Sequence, residues 1–310
     1  MRRGASLAAV GAVLALLTLA SCSTAPQKSD TVTTMKSQAA QDSITGDSYF
    51  RQGRFDLALQ FFQKSLNENT AVDNGEGVIQ SYNAIGKTYM ALGSLDRAEE
   101  IFLAARDRAR SGAPELLFVS TNNLGELYLA RAEPQKALAL FEEALAMPAA
   151  SRTNAQTGVL YHNLGTAEKD LGDAAKALAY YGKSLGINLS NKFTEQAAAN
   201  YYMMAAVHSK NGDFEEAGKD AFLALEADKK IENSPGIAQD LYALGLIANR
   251  RRDSAAAYDY FQRSFLVFTA LEIKPQMKKS LAELIGAAEA LGKKPEAESY
   301  RKQLAELEGP

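Results

Sequence analysis

The chain has 310 residues, 46% hydrophobic and 23% charged, which is ordinary for a folded protein and excludes wholesale disorder. Lys and Arg total 34 against 37 Asp and Glu, a net charge of −3, so no basic excess points to nucleic acid. A single cysteine excludes an intrachain disulfide, and with only two histidines the usual structural zinc clusters are excluded too.

Taken from the N-terminus, Met1-Arg2-Arg3 is a short positive segment, and Leu7 to Ala20 is almost wholly apolar. The apolar stretch falls short of the roughly 20 residues a membrane-spanning helix needs. It ends in Leu19-Ala20-Ser21-Cys22, and Cys22 is the sole cysteine. This ending resembles the bacterial lipobox. The resemblance implies that residues 1–21 are a lipoprotein signal peptide and that Cys22 is the lipidation site, with the acyl chains anchoring the protein in a membrane. Removal of Arg2 and Arg3 would leave 32 − 37 = −5. Ser23, rather than Asp, follows the cysteine, which by the same resemblance favours the outer membrane, facing the periplasm. Residues 23 to 40 are polar and rich in Ser, Thr and Gln, so 22–40 is expected to be a lipidated cysteine with a flexible tether.

From residue 41 onward the chain repeats. Ala58, Ala98, Ala137, Ala177, Ala217, Ala257 and Ala297 follow at intervals of 40, 39, 40, 40, 40 and 40. Twelve residues before each stands Gly46, Gly86, Gly125, Gly165, Ala205 or Gly245, and the column fails only at Ile285. Four residues after it stands Phe62, Phe102, Phe141, Tyr181 or Phe261 in five of the repeats. A further small residue follows at Ser65, Ala105, Ala144, Ser184, Ala224 and Ser264, and Gly53, Gly93, Gly172, Gly212 and Gly292 mark turns. Prolines 114, 134, 148, 235, 275 and 295 all fall at or beside expected turns, and strand signals are absent.

These columns resemble the tetratricopeptide repeat family, most clearly in residues 83–105 and 122–145. The 40-residue period and the missing first-helix Trp make the chain similar to the long-repeat forms found in kinesin light chains and cell-polarity adaptors. The implied fold is an all-α solenoid: a right-handed superhelix of seven helix-turn-helix repeats over 41–310, the last one a degenerate cap. The small residues of the first helix are expected to meet the Ala column of the second, with the aromatic packing against the next repeat. The second helix of repeat six, with Tyr258, Tyr260 and Phe268, is apolar on more than one face, and reads as an internal helix or an exposed partner-binding strip.

Catalytic and cofactor chemistries find little support. Gly86-Lys87-Thr88 lacks the earlier glycine of a phosphate loop, Ser81 standing there, and it falls inside a helix. His208 occupies a column held elsewhere by Tyr49, Tyr89 and Tyr128 and is expected to be a packing residue. Glu99-Glu100, Glu142-Glu143 and Glu215-Glu216 lie near the starts of second helices, where acids complement the helix dipole and face water. No enzyme activity, cofactor or metal is expected.

The inner face remains. The resemblance places Asn83, Lys87, Asn122, Glu126, His162, Lys169, Tyr202, Lys210, Tyr242, Asn249 and Arg250 on the concave surface. Asn123 and Asn163 fall where long-repeat relatives carry asparagines able to bond the backbone of an extended peptide. The expected function is a membrane-anchored, non-enzymatic scaffold that binds a protein or peptide of the cell envelope. The alternative is an accessory lipoprotein holding a small molecule in a cavity at His162, Tyr202 and Tyr242.

Overall fold

The computed structural model describes residues 28–309, so Cys22, the apolar segment and the start of the expected tether lie outside the described residues. Fourteen α-helices follow one another there: α1 (Lys28–Arg51), α2 (Phe55–Ala71), α3 (Gly75–Ala91), α4 (Leu95–Ala109), α5 (Pro114–Ala130), α6 (Pro134–Ala146) and α7 (Asn154–Leu171). Then come α8 (Ala174–Ser190), α9 (Thr194–Asn211), α10 (Phe214–Lys230), α11 (Ser234–Arg250), α12 (Ser254–Ala270), α13 (Lys274–Ala290) and α14 (Lys294–Glu308). Each helix packs on its chain neighbours, giving seven pairs in one stack, the all-α tetratricopeptide-type solenoid. None of the described helices is long and apolar enough to cross a membrane.

The helix α1 replaces part of the expected tether. Its first turns carry neither Gly nor Pro to break a helix, and they grow outward from an anchor at Ala39 and Asp42, 1% and 3% exposed. Between Thr31 and Gln38 the helix is mostly exposed, so residues 28–40 form a projecting helix and not a coil.

Turn chemistry repeats with the period of the sequence. Within each pair, the turn passes through a left-handed residue: Gly53, Gly93, Ala132, Gly172, Gly212, Arg252 and Gly292, all with φ between 57° and 91°. Glycine adopts that geometry freely, whereas Ala132 and Arg252 are strained there. Pro114 and Pro134 open α5 and α6, where a missing N–H costs nothing. Thr153 starts α7 with a reciprocal cap: its Oγ1 accepts from the Gln156 N–H, and its own N–H donates to Gln156 Oε1 at 2.7 Å.

The Ala column forms the spine: Ala58, Ala98, Ala137, Ala177, Ala217 and Ala257 are fully buried. The glycine column, however, meets the aromatic of its own repeat. A Cβ placed on Gly46, Gly86, Gly125, Gly165 or Gly245 would stand 2.3–2.8 Å from the ring of Phe62, Phe102, Phe141, Tyr181 or Phe261, too close for any side chain. The expectation that glycine faces the Ala column is corrected accordingly, while the ring also packs on the next repeat as expected: Phe62 with Ile85, Phe102 with Leu124 and Leu127, Phe141 with Leu160 and Leu164. In repeat six the strip on α12 is absorbed: Phe265 and Phe268 are buried, Tyr260 packs on the adjoining clusters, and the Tyr258 hydroxyl lies 3.0 Å from that of Tyr300 on α14. It is an internal helix.

Candidate functional site: the inner face of the solenoid

Successive odd-numbered helices from α1 to α11 touch one another, while even-numbered helices make no comparable mutual contacts. The odd helices therefore sit at the smaller radius and line the concave side.

Along repeats two to four this face is closed by its own hydrogen bonds. Asn123 Nδ2 donates to Asn83 Oδ1 at 2.9 Å, and Asn83 Nδ2 donates to Ser120 Oγ at 3.0 Å and to the Ile79 carbonyl. One step on, Asn163 Nδ2 donates to Asn122 Oδ1 at 3.2 Å and to Glu126 Oε1 at 2.9 Å, and Asn122 Nδ2 donates to the same Glu126 oxygen. All four asparagines are at least nine-tenths buried. The expectation that Asn123 and Asn163 offer amides to a peptide backbone is thus corrected: they join α3 to α5 and α5 to α7. A buried amide inside a solenoid must find partners, and each here finds an asparagine of the adjoining repeat one column away. His162 continues the chain, its Nδ1 lying 2.9 Å from Asn200 Oδ1, and burial pushes its pKa below the ordinary value.

The other expected residues separate into two groups. Lys87, Asn249 and Arg250 are exposed, and Lys169 is half-buried with its Nζ 2.9 Å from Asp170. Tyr242 leans on Phe261, ring centres 5.6 Å apart, and lines none of the inner-face cavities, so the expected His162–Tyr202–Tyr242 cavity does not form as a trio. His162 and Tyr202 do share one. Away from the groove, His208 is only half-buried, its ring nitrogens 3.8 Å and 3.7 Å from Asp213 and Asp220. Glu99 is half-buried, not simply water-facing as expected. It accepts from the Tyr128 hydroxyl at 2.5 Å and from Arg131 at 2.6 Å, bonds that hold its pKa below the ordinary carboxylate value.

The open part of the groove lies at repeats five and six. One stripe of α9 (Glu195, Ala199, Tyr202, Ala206, Lys210) and one of α11 (Gln239, Ala243, Leu246, Arg250) recur at helical spacing and line two adjoining cavities. The cavity near the starts of the two helices measures 310 Å³ and is acidic, bounded by Glu195, Asp228 and Asp240. The one near their ends measures 580 Å³ and carries Lys210 and Arg250. Neither cation has an ion-pair partner among the described residues. Tyr202 borders both cavities, and burial raises its phenol pKa. Asp240 lies ten residues before Arg250, so an acidic and a basic side chain stand about 15 Å apart along one helix.

Sequence reading missed Glu195, Asp228 and Asp240. One signal was present: Asp240 falls five residues before Gly245, a column that reads Ser81, Ser120, Asn200 and Ser280 in other repeats, so an ionisable acid occupies a buried neutral position.

Comparison with known proteins agrees with the architecture. A family model described as Tetratricopeptide repeat matches residues 45–111, 80–150 and 116–190. None of the curated proteins matches this sequence. Among solved structures, BtubC (BKLC) from P. vanneervenii is 18% identical with a TM-score of 0.58, covering 77% of this chain and 92% of that one. The apo quorum sensor NprR from B. thuringiensis is 19% identical with a TM-score of 0.67, covering 87% and 76%. A Rap protein complexed with Competence and Sporulation Factor is 17% identical with a TM-score of 0.57, covering 86% and 80%. At these identities the likeness is one of fold.

Proposed function

Because this chain belongs to the tetratricopeptide repeat family, we propose that it is a non-enzymatic adaptor whose groove at repeats five and six receives a segment of a protein partner. The observation that carries this is the pair of uninterrupted, solvent-facing stripes on α9 and α11, with acid at one end, unpaired base at the other and Tyr202 between them. At repeats two to four, helix–helix contacts use up the asparagine amides of the inner face, whereas here Lys210 and Arg250 stay available. A quorum sensor and a Rap protein complexed with a factor share the fold, which supports a binding role. The lipobox-like Leu19-Ala20-Ser21-Cys22 supports attachment to a bacterial membrane through acyl chains on Cys22, with the solenoid in the envelope and the outer membrane favoured by Ser23.

Two measurements test this reading. Cross-linking and capture from envelope extract should recover a protein that Tyr202→Ala or Arg250→Glu loses. Recovery of only a small molecule, held by the His162–Tyr202 cavity, would favour the small-ligand alternative. Labelled palmitate should enter the wild-type chain and not Cys22→Ala; equal labelling would remove the anchor.

A further inference from the structure

Each even-numbered helix turns one stripe outward, and in α10 that stripe departs from the pattern of the repeats. Five residues after the Ala column the chain reads Gln63, Leu103, Glu142, Gly182, Gln262 and Lys302 in six repeats, but Phe222 in the fifth. Phe222 is 50% exposed, and Leu223 beside it is exposed as well. Large side chains left in water on an outer face are the usual anchors of a protein–protein contact. Next to the ring the surface is hollow. Gly218 stands where other repeats place Leu59, Leu138, Leu178 or Tyr258. The vacated space is a groove of 790 Å³, floored by Leu244 and Ile247 and walled by Phe222 and Tyr260.

The charges along this stripe are complementary to themselves. Glu215, Lys219, Phe222, Glu226 and Lys229 recur at intervals of 4, 3, 4 and 3, so they share one face of α10, and all five are exposed. Counted from Phe222, Glu215 lies seven residues before and Lys229 seven after, while Lys219 lies three before and Glu226 four after. A second α10 laid antiparallel on the first, ring facing ring, therefore sets Glu215 against Lys229 and Lys219 against Glu226, twice over. A parallel copy in the same register would set every charge against its like.

We propose that the outer face of α8 and α10 binds a second copy of this chain, the two meeting antiparallel about a two-fold axis level with Phe222 and Gly182. Each ring leans into the hollow that Gly218 leaves beside its counterpart. The same axis lays α8 on α8 of the second copy, where the matching stripe is Ala175, Ala179, Gly182, Gly186 and Leu189. All five are exposed, Leu189 at 54%. Leu189 then covers Ala175 of the other copy, and Gly182 meets Gly182. A Cβ on Gly182 or Gly186 would meet nothing within 4 Å, so the chain's own packing does not call for glycine, which weakens the middle of a helix. Close approach of another helix does call for it. Two helices of 17 residues, each about 25 Å long and about 10 Å wide, offer on the order of 500 Å² per copy. A total near ~1,000 Å² is at the lower limit for a specific contact, so the dimer is reversible.

The test is sedimentation velocity of the full-length chain in mild detergent, which keeps the apolar N-terminus from associating. The expected result is a monomer–dimer equilibrium that follows concentration. Phe222→Glu should raise the dissociation constant roughly 30-fold or more while circular dichroism stays unchanged. Lys219→Glu and Glu226→Lys should each weaken the dimer, and the two together should restore it, because the register pairs them across the axis. Gly182→Cys, in a chain that also carries Cys22→Ala, should yield a disulfide-linked dimer on mild oxidation. Glu142→Cys, from the same column of repeat three, should not. A monomer at every concentration, a dimer indifferent to Phe222→Glu, or a charge exchange without recovery would overturn the interface. A monomer whose Phe222 is protected only in complex with a different protein would overturn it too and give the face to that protein.

Discussion

Ala205 and Ala221 stand where five other repeats place a glycine and an aromatic ring, and the two departures compensate each other. In five repeats the ring lies where the glycine's missing Cβ would be, as with Gly125 and Phe141 at 2.3 Å. In repeat five the ring is absent, and both alanines are buried in one cluster with Ala217 and Leu225. The space vacated by the ring is partly refilled by the Ala205 methyl.

This relationship predicts strong coupling. Ala221→Phe alone overpacks against Ala205 and should cost about 1–3 kcal/mol. Adding Ala205→Gly should recover most of that loss, although Gly in a helix itself costs roughly 1 kcal/mol. Urea denaturation of both single variants and the double variant measures the coupling, and additive losses would show that the two columns do not share one space.

The asparagine chain sets a second expectation. Asn123→Ala removes the donor to Asn83 Oδ1 in a buried setting and should destabilise the fold by about 1–3 kcal/mol, despite the better helix propensity of Ala. Chemical denaturation checks it. An unchanged midpoint would mean that water replaces the lost amide.

Strained turns give a stabilising pair. Ala132 and Arg252 hold φ of 57° and 61° where five other repeats place Gly. Ala132→Gly and Arg252→Gly should each add on the order of 1 kcal/mol, seen as a higher thermal midpoint without change in the helical spectrum.

Asp240 makes stability depend on pH with a definite sign. Its folded pKa of about 8 lies above the ordinary 3.8, so the native state holds a proton that the unfolded chain has released. Its contribution is fully present below pH 3.8 and is lost as pH rises through about 8. Asp240→Asn, which cannot ionise, should therefore gain on wild type steadily across that window. Denaturation midpoints compared at several pH values check this, and a constant difference would mean the carboxyl is not protonated.

How much of this could be read from residues alone differs between fold and site. Periodicity alone marks the seven pairs, because Ala58 to Ala297 must recur wherever second helices approach their partners. The partner of the glycine column was not legible, since spacing of 16 residues between Gly125 and Phe141 says nothing about which way the ring turns. The projecting start of α1 was missed because polar composition alone describes an exposed helix as well as it describes a coil. At the site, the family resemblance pointed to an inner face, yet Asn123 and Asn163 are by type equally suited to bonding a neighbouring helix or a peptide. Only burial decides between them. Asp240 lay hidden for the converse reason, being a charge in a column that the pattern treats as core.

The separation of charge across the groove bears on direction. The helices α9 and α11 run parallel, so Glu195 and Asp240 lie toward one rim, while Lys210 and Arg250 lie toward the opposite one. A strand-like segment threaded along the superhelical axis points successive side chains to alternate flanks. Its even residues would meet one rim and its odd residues the other. On the groove reading proposed above, the two rims would distinguish parity: a segment alternating basic and acidic side chains would fit in one frame, and sliding it by a single residue would set basic side chains against Lys210 and Arg250.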